Sequence, residues 1–394
     1  LNGVTRENLN GIRVVRAFNA EDYQQDKFEN VNNDLTNLQL FNQKTMSILS
    51  PVMYLVMYML TLSIYFIGAK LINEAMMADK IALFGDMVVF SSYAMQIIMA
   101  FLMLAMIFMI LPRAQVSANR INEVLDTEIS VKDGKYAKIN TEEIGTVEFR
   151  NVSFKYPDAE EYLIKNVSFK ANKGETVAFI GSTGSGKSTL LNLIVRFYDV
   201  TEGEILVDGI NVKDYKLETL YKKIGYVSQK AVMFDGTIDY NIRYGESKNE
   251  KTDETVKSAA LIAQAQEFIL NMDDGYETHI AQGGTNVSGG QKQRLSIARA
   301  IAKNPEIFIF DDSFSALDYK TDAVLRKNLK KYASDATSLI VAQRIGTIMN
   351  ANKILVLDNG ECVGMGTHKE LLKSCEVYKE IALSQLSKEE LENA

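Results

Sequence analysis

The distribution of charged residues divides the chain into two parts. Residues 45–69 and residues 87–111 contain no Asp, Glu, Lys or Arg, and each stretch is 25 residues long. Since a helix rises about 1.5 Å per residue, each stretch can cross a hydrocarbon core of about 30 Å. Buried helices of a soluble protein are the alternative interpretation. Two such stretches in succession favour membrane-spanning helices.

The segments around these two stretches are polar. In residues 1–44, apolar side chains recur every three or four positions, for example at Phe28, Val31 and Leu35, and this spacing predicts one long amphipathic helix. The short segment 70–86 carries charges of both signs, whereas both outer flanks carry several Arg and Lys residues. The positive-inside rule therefore places both ends in the cytosol and the short segment outside.

The pattern changes in the remainder of the chain. Residues 113–125 continue the second helix, and residues 126–145 form a linker rich in charged residues and Gly. From residue 146 onwards, apolar positions alternate, and short strands then alternate with helices. A more helical insert covers residues 237–286. We therefore expect a membrane α-helical segment over residues 1–125 and an α/β domain with a helical subdomain over residues 146–394.

Composition narrows the functional classes. The net charge is −7, which argues against nucleic-acid binding. The two cysteines, Cys362 and Cys375, fall in the part assigned to the cytosol, so a disulfide is not expected. The two histidines, His279 and His368, lack the spacing of metal ligands. Because the chain opens with Leu1 inside a predicted helix, we interpret it as the C-terminal part of a longer protein.

A phosphate-binding loop is predicted between a strand and a helix. It follows the apolar run 176–180 and precedes the apolar run 190–195, and this strand–loop–helix context argues against a chance glycine-rich turn. Its glycines let backbone N–H groups face phosphate oxygens. Lys187 is expected to reach the β- and γ-phosphates, and the Ser188 hydroxyl to bind Mg²⁺. The predicted ATP-binding loop consists of Gly181, Ser182, Thr183, Gly184, Ser185, Gly186, Lys187, Ser188 and Thr189.

A second apolar run supplies carboxylates. Residues 307–310 read as a buried strand that ends at Asp311 and Asp312. A carboxylate delivered at the tip of a buried strand is the usual partner of a phosphate loop, and Asp311 is expected to hold Mg²⁺ through water. The two elements together predict a nucleoside triphosphatase.

A third motif lies between these two. Ser288, Gly289, Gly290 and Gln291 follow Val287. This sequence resembles the signature of ABC transporters, which usually reads Leu-Ser-Gly-Gly-Gln. Small residues that open a helix let backbone N–H groups and the serine contact a phosphate. Because the chain has no second phosphate loop, the resemblance implies that the signature serves a nucleotide bound to the opposite subunit.

Other segments are similar to elements of the same family. Tyr156 resembles the aromatic residue that stacks on adenine, and Gln229 resembles the glutamine that contacts Mg²⁺ and senses the transmembrane part. Residues 315–318 resemble the loop that crosses the dimer interface. Residues 8–18 resemble the cytosolic helix before the fifth span of ABC exporters. The resemblance thus implies that the two spans are the fifth and sixth of six.

Besides Val287 in place of Leu, two positions that matter more depart from the family pattern. The family's general base is a Glu directly after the strand-end Asp, but this chain has Asp312, and the family's switch histidine is replaced by Gln343. Asp is one methylene shorter than Glu, and a misplacement of about 1 Å can cost on the order of 10²-fold in rate. Glutamine cannot carry a proton as imidazole can. These changes predict an impaired ATP site, as in one subunit of heterodimeric bacterial exporters.

The resulting hypothesis is an ATP-driven half-transporter of a bacterial plasma membrane. It would bind ATP and Mg²⁺, pair with a second half-transporter and export apolar or amphipathic, lipid-like compounds. The first alternative is a regulatory or gating subunit that binds ATP and hydrolyses little of it. The second, a soluble ATPase of the same superfamily acting on ribosomes or DNA, is disfavoured by the two uncharged stretches and the acidic balance.

Overall fold

The computed structural model of the chain describes residues 1–136, 143–247 and 250–386. By its internal contacts the chain divides into two compact units, residues 1–128 and residues 129–394. Part of the predicted linker, residues 137–142, lies outside the described residues.

The first unit, residues 1–128, is fully described and is helical. Its helices are α1 (Asn2–Ala17), α2 (Glu21–Glu74) and α3 (Lys80–Leu125). The second and third helices contain the two uncharged stretches, and both are long and apolar enough to span a membrane. The short connection between them, residues 75–79, makes them neighbours in an antiparallel pair.

The single helix predicted over residues 1–44 is wrong. The chain leaves the helix between α1 and α2, where Asn19 has a left-handed φ of 50°. The N–H of Ala20 donates to Val15 O at 2.9 Å, and the N–H of Asn19 donates to Arg16 O at 3.3 Å. This pair of bonds ends a helix in the Schellman manner, and Asn is one of the few residues that adopts the required conformation at low cost. Side-chain periodicity continues across the break and therefore conceals it.

Packing between α2 and α3 depends on small residues. A Cβ at Gly68 would lie 2.6 Å from Met87 Sδ, so a larger residue here would force the Met87 side chain to move. On α3, Ser91, Ala94 and Ile98 recur every three or four residues and are buried. Most of the remaining apolar surface is exposed in this unit, for example Phe66 at 73%. Exposed apolar surface on this scale is typical of a face that contacts lipid or other helices.

The second unit contains two larger sheets. In the described part of residues 129–394, a six-stranded sheet has the order β12-β11-β3-β10-β9-β6, a four-stranded antiparallel sheet has the order β2-β1-β4-β5, and β7 pairs with β8. In the larger sheet only β12 runs antiparallel to its neighbour. The strands are β1 (Val147–Phe154), β2 (Ile164–Ala171), β3 (Thr176–Gly181), β4 (Glu202–Val207), β5 (Ile210–Asn211), β6 (Ile224–Val227), β7 (Gly236–Thr237), β8 (His279–Ile280), β9 (Ile307–Asp311), β10 (Thr337–Val341), β11 (Lys353–Asp358) and β12 (Glu361–Gly366).

Helices cover the larger sheet and form the predicted insert. The helices of this unit are α4 (Lys187–Ile194), α5 (Leu217–Lys223), α6 (Ile238–Arg243), α7 (Asp253–Ile262), α8 (Gln266–Leu270), α9 (Gly289–Ala302), α10 (Tyr319–Tyr332), α11 (Ile345–Ile348), α12 (His368–Ser374) and α13 (Glu376–Gln385). The insert predicted over residues 237–286 contains α6, α7 and α8, together with the two-residue ladder β7–β8.

The six-stranded sheet separates two apolar cores. From β3, Ala178 and Ile180 belong to one core, and Val177 and Phe179 belong to the other. Successive side chains of a strand point to opposite faces, so a strand covered on both sides must be apolar at every position. This explains the uninterrupted apolar runs in the sequence. The same topology brings the carboxyl ends of β3, β9 and β10 to one edge of the sheet, where a ligand site is expected.

Residues directly before position 137 pack onto the rest of the second unit. The N–H of Gly134 donates to Tyr215 O at 2.9 Å, and the N–H of Leu217 donates to Asp133 Oδ1 at 2.9 Å. Residues 129–136 therefore belong to the fold of the second unit, although their charged and glycine-rich composition resembles that of a free linker.

Candidate nucleotide-binding site

The predicted phosphate loop joins β3 to α4. Glycine is required at both of its ends. A Cβ at Gly181 would lie 2.0 Å from Leu357 O, and Gly186, with a φ of 92°, would place a Cβ 2.3 Å from Ile164 Cδ1. The loop can therefore turn tightly against its neighbours only with glycine at these positions.

Lys187 begins α4 and folds back over the loop. Its Nζ donates to Gly181 O at 2.9 Å, Ser182 O at 2.6 Å and Ser185 Oγ at 3.3 Å. Burial lowers the pKa of Lys187, an effect that Asp312 and Asp311 oppose. A partly desolvated ammonium with neutral partners is a favourable position for an anionic oxygen, because charge-assisted hydrogen bonds are stronger.

Ser188 and Asp311 meet at the end of β9. The Ser188 hydroxyl donates to Asp311 Oδ1 at 2.7 Å. Burial raises the pKa of Asp311, although the Ser188 hydrogen bond opposes this shift. A hydroxyl and a carboxylate are hard oxygen ligands that suit Mg²⁺, which usually takes one or two protein ligands and completes its shell with phosphate and water. Ser188 and Asp311 could therefore supply the protein oxygens for Mg²⁺ bound to a nucleotide. Within the described residues no group of three or more His, Cys, Asp or Glu side chains is placed to hold a metal ion.

Asp312 occupies an unusual backbone conformation. Its φ is 47°, in the left-handed region that costs energy for a residue with a side chain. Its N–H donates to Val341 O at 3.0 Å, which ties it to the end of β10. Its Oδ2 accepts from Gln343 Nε2 at 2.7 Å and, at a long 3.5 Å, from Gln229 Nε2. Burial raises the pKa of Asp312. The structure thus brings together Asp312 and Gln343, the two more important departures from the family pattern.

Tyr156 lies at the other end of the site. Its hydroxyl is 3.0 Å from Thr189 Oγ1. Its ring packs edge-on against Phe154 and Tyr198, with centroid distances of 5.0 Å and 5.1 Å. These contacts tie the Tyr156 side chain to the first turn of α4.

One cavity joins these groups. It has a volume of about 340 Å³, within the range of small-molecule sites. The residues that line it are Tyr156, Leu163, Thr183, Gly184, Gly186, Lys187, Ser188, Thr189, Gln229, Asp312, Val341 and Gln343. The sequence analysis missed Leu163 and Val341, because an apolar residue beside a strand end carries no chemical signal of a site. Their position could have been found only from the register of β2 and β10.

The signature residues lie at the start of α9 and do not line this cavity. The N–H of Ser288 donates to Gln291 Oε1 at 2.8 Å, and the N–H of Gln291 donates to Ser288 Oγ at 3.3 Å. This capping box fixes the first turn of the helix, while Ser288 and Gly289 stay exposed. Val287 is 9% exposed and belongs to an apolar core, which explains why Val can replace Leu there.

The loop of residues 315–318 connects the two motifs. Ser315 Oγ donates to Asp312 O at 2.8 Å, and Asp318 Oδ1 caps α10 by accepting from the N–H of Thr321 at 3.0 Å. A Cβ at Gly290 would lie 3.4 Å from Ala316 O, so the loop of residues 315–318 also lies against the signature residues. The same short segment therefore contacts Asp312 at one end and the signature helix near its middle.

Two protein-family descriptions match the sequence. The description "ABC transporter" matches residues 164–315, and "ABC transporter transmembrane region" matches residues 1–101. The first match contains the phosphate loop, both aspartates and the signature.

Similar proteins are found in bacteria. The chain is 42% identical over 387 residues to an uncharacterized ABC transporter ATP-binding protein of Mycobacterium bovis, and 98% of the chain and 65% of that protein are covered. It is 35% identical over 388 residues to the ATP-dependent lipid A-core flippase of Haemophilus influenzae, with 98% and 65% covered. The chain thus spans just under two thirds of the length of these relatives.

A solved structure has a similar fold. The structure of a bacterial Atm1-family ABC exporter with ATP bound matches with a TM-score of 0.85 at 30% identity. The match covers 98% of this chain and 66% of that one. The similarity extends over both units of the chain.

Proposed function

Since this chain belongs to the ABC transporters that carry a transmembrane region and an ATP-binding domain on one polypeptide, we propose that it is an ATP-binding and permease subunit of a bacterial exporter. In this proposal ATP binding and hydrolysis drive the export of apolar or amphipathic compounds across the plasma membrane. The observation that carries it is the cavity formed by Tyr156, the phosphate loop and Asp312, in a chain with two helices long and apolar enough to span a membrane.

In the proposed ATP site each group has one task. Tyr156 stacks on the base, the loop N–H groups bind the phosphates, and Lys187 exchanges its loop carbonyls for phosphate oxygens. Ser188 and Asp311 hold Mg²⁺, which neutralises phosphate charge when bound. Their hydrogen bond of 2.7 Å supports this assignment, because the two oxygens already converge.

The position of the signature supports assembly with a second chain. Ser288 and Gly289 are exposed and lie outside the cavity that contains Lys187. We propose that they complete a nucleotide site on a second half-transporter, while the corresponding residues of that subunit complete the site on this chain. The two candidate spans are then the fifth and sixth of six, so most of the transport pathway belongs to other spans.

The contact between Asp312 and Gln343 supports an impaired site. At 2.7 Å, Gln343 Nε2 donates to Asp312 Oδ2, one of the two carboxylate oxygens that a general base could offer to water. Gln343 itself cannot take up a proton. We therefore propose that this chain contributes the slow site of a heterodimer and that the partner contributes the intact one.

A regulatory subunit is the second candidate, and the same contact favours it. If Asp312 and Gln343 mainly satisfy each other, ATP at this site would act by binding and would be hydrolysed rarely. The two candidates differ in transport: a regulatory subunit changes the rate at which another protein acts, whereas an exporter subunit lines the pathway and couples directly to it.

Transport by purified subunits in lipid vesicles tests the proposal. ATP-dependent uptake of an amphipathic dye into inside-out vesicles is measured for the wild type, for Lys187→Ala and for Lys173→Ala, an exposed lysine that serves as the matched control. We expect Lys187→Ala to lose uptake and Lys173→Ala to retain it. Equal uptake by all three would show that this chain's phosphate loop is not needed.

A further inference from the structure

The last helix of the described chain contacts the segment that carries Gln343. Gln385, the final residue of α13, uses both ends of its side-chain amide. Its Nε2 donates to Gln343 O at 2.8 Å, and its Oε1 accepts from the N–H of Ile345 at 2.8 Å. One side chain thereby holds both ends of the three-residue segment 343–345 at once, as a neighbouring strand would.

This contact satisfies a backbone group that has no local partner. Ile345 is the first residue of α11, and Arg344 before it makes no side-chain capping bond. The first N–H groups of a helix need acceptors from outside the helix. Gln385 supplies one of them from a distant part of the sequence and fixes where α11 begins.

The helix that carries Gln385 is firmly anchored. Tyr378 and Ala382 of α13 are completely buried in the apolar core. The Tyr378 hydroxyl lies 2.7 Å from His368 Nδ1, which joins α13 to α12. Gln385, Gln343 and Lys187 also line one cavity of about 420 Å³, so the end of α13 lies beside the phosphate loop.

We propose that Gln385 is a positioning residue for Gln343. By fixing the backbone of residues 343–345, its amide sets how far the Gln343 side chain reaches towards Asp312 and towards the phosphates. The inference rests on the proposed function, in that it takes the cavity to be the ATP site. Helix α13 thus influences the proposed contact of Gln343 with the γ-phosphate although it contributes no atom to that contact.

Nucleotide dissociation from this chain tests the inference. The full transporter is loaded with azido-ATP or azido-ADP, chased with unlabelled nucleotide and photolysed at intervals, so that label on each chain is counted separately. We expect Gln385→Ala to speed ATP dissociation by about 3- to 10-fold, the effect of one hydrogen bond. ADP dissociation should not change, because ADP lacks the γ-phosphate that Gln343 is proposed to contact.

Two further variants control for the shape of the helix. Gln385→Glu keeps the acceptor for Ile345 and replaces the donor to Gln343 O by a carboxylate oxygen, so we expect it to behave like Gln385→Ala. Ser384→Ala removes a hydroxyl that donates to Ile381 O within α13, and we expect wild-type rates. If Gln385→Ala and Ser384→Ala release ATP at the same rate, the inference is wrong and the proposed function stands.

A second background separates positioning from general stabilisation. In Gln343→Ala protein, Gln385 has no side chain to position, so adding Gln385→Ala should leave ATP dissociation unchanged. A merely structural role would give the same acceleration in both backgrounds and would overturn the inference. A wild-type chain that retains no ATP would overturn the proposed function, and this inference with it.

Discussion

The two nucleotide sites of the proposed heterodimer should respond in opposite ways to changes in this chain. In this proposal Asp312 belongs to the site that contains Lys187, whereas Ser288 serves the site on the partner. We predict that Asp312→Asn reduces steady-state hydrolysis by less than about 3-fold, because Asp312 supplies little base catalysis. We predict that Ser288→Arg reduces it by about 10²-fold or more, in the range observed when one preorganised donor to a reacting oxyanion is removed.

The structure supports these magnitudes. In Asp312→Asn, the Asn oxygen can still accept from Gln343 Nε2, a contact of 2.7 Å in the wild type. The substitution replaces a charged hydrogen-bond acceptor by a neutral one. We expect this to cost on the order of 1 kcal/mol of local stability, and this cost does not enter the transition-state energy of hydrolysis. Ser288→Arg also removes the capping box with Gln291, which costs about 1 kcal/mol of helix stability.

Steady-state ATPase of the purified complex in lipid is the assay. Ser374→Arg, which places the same bulk and charge at an exposed serine of α12, is the matched control and should retain activity. Asp312→Glu alone should recover little, since Gln343 cannot carry a proton. Loss of turnover in Asp312→Asn together with a tolerated Ser288→Arg would refute the reasoning and make Asp312 a working base.

Three further predictions follow from other parts of the chain. Lys187→Ala should weaken ATP binding at this chain's own site by about 10-fold or more, because it removes a charge-assisted contact to phosphate. The affinity is measured by titration with labelled ATP, and an unchanged affinity would show that another loop binds the phosphates. In a cysteine-free background, a membrane-impermeant thiol reagent added to intact cells should label a cysteine introduced at Asn73 but not one introduced at Asn140. Asn140 lies in the predicted linker and outside the described residues. Labelling at Asn140 would show that the orientation in the membrane is the reverse of the one predicted. Burial lowers the pKa of His368. The unfolded state therefore binds a proton at a pH at which the folded state does not, so the free energy of unfolding should fall as the pH drops below about 6.5. Thermal unfolding of His368→Gln should lose this part of the pH dependence, and an unchanged pH profile would contradict it.

The site was predictable where chemistry and strand ends coincide. Residues 177–180 of β3 and residues 307–310 of β9 are all apolar because the sheet lies between two cores, and each run is followed by the residue that carries function, Gly181 or Asp311. Parallel pairing then brings these ends together. A local sequence pattern could therefore identify the loop and the carboxylates, whereas Gln343 was identified only through the resemblance to the family.

Other features could not be read from a local pattern. The break at Asn19 interrupts neither apolar spacing nor polarity, so periodicity continued through it. The contact of Gln385 with residues 343–345 joins positions 40 and 42 apart in sequence. Leu163 enters the cavity only because β2 lies beside the loop. Each depends on tertiary packing, which sequence spacing does not encode.

The central claim is tested most directly by determining which of the two chains hydrolyses ATP. The complex is incubated with Mg²⁺, labelled azido-ATP and vanadate, which traps the product nucleotide at a site that has turned over, and the two chains are separated after photolysis. Without vanadate and at low temperature, both chains should be labelled with ATP. With vanadate under turnover conditions, trapped ADP should appear on the partner and be nearly absent from the chain that carries Lys187. Trapped ADP on this chain in amounts equal to the partner would contradict the account, because it would mean that Asp312 and Gln343 form a working hydrolytic site.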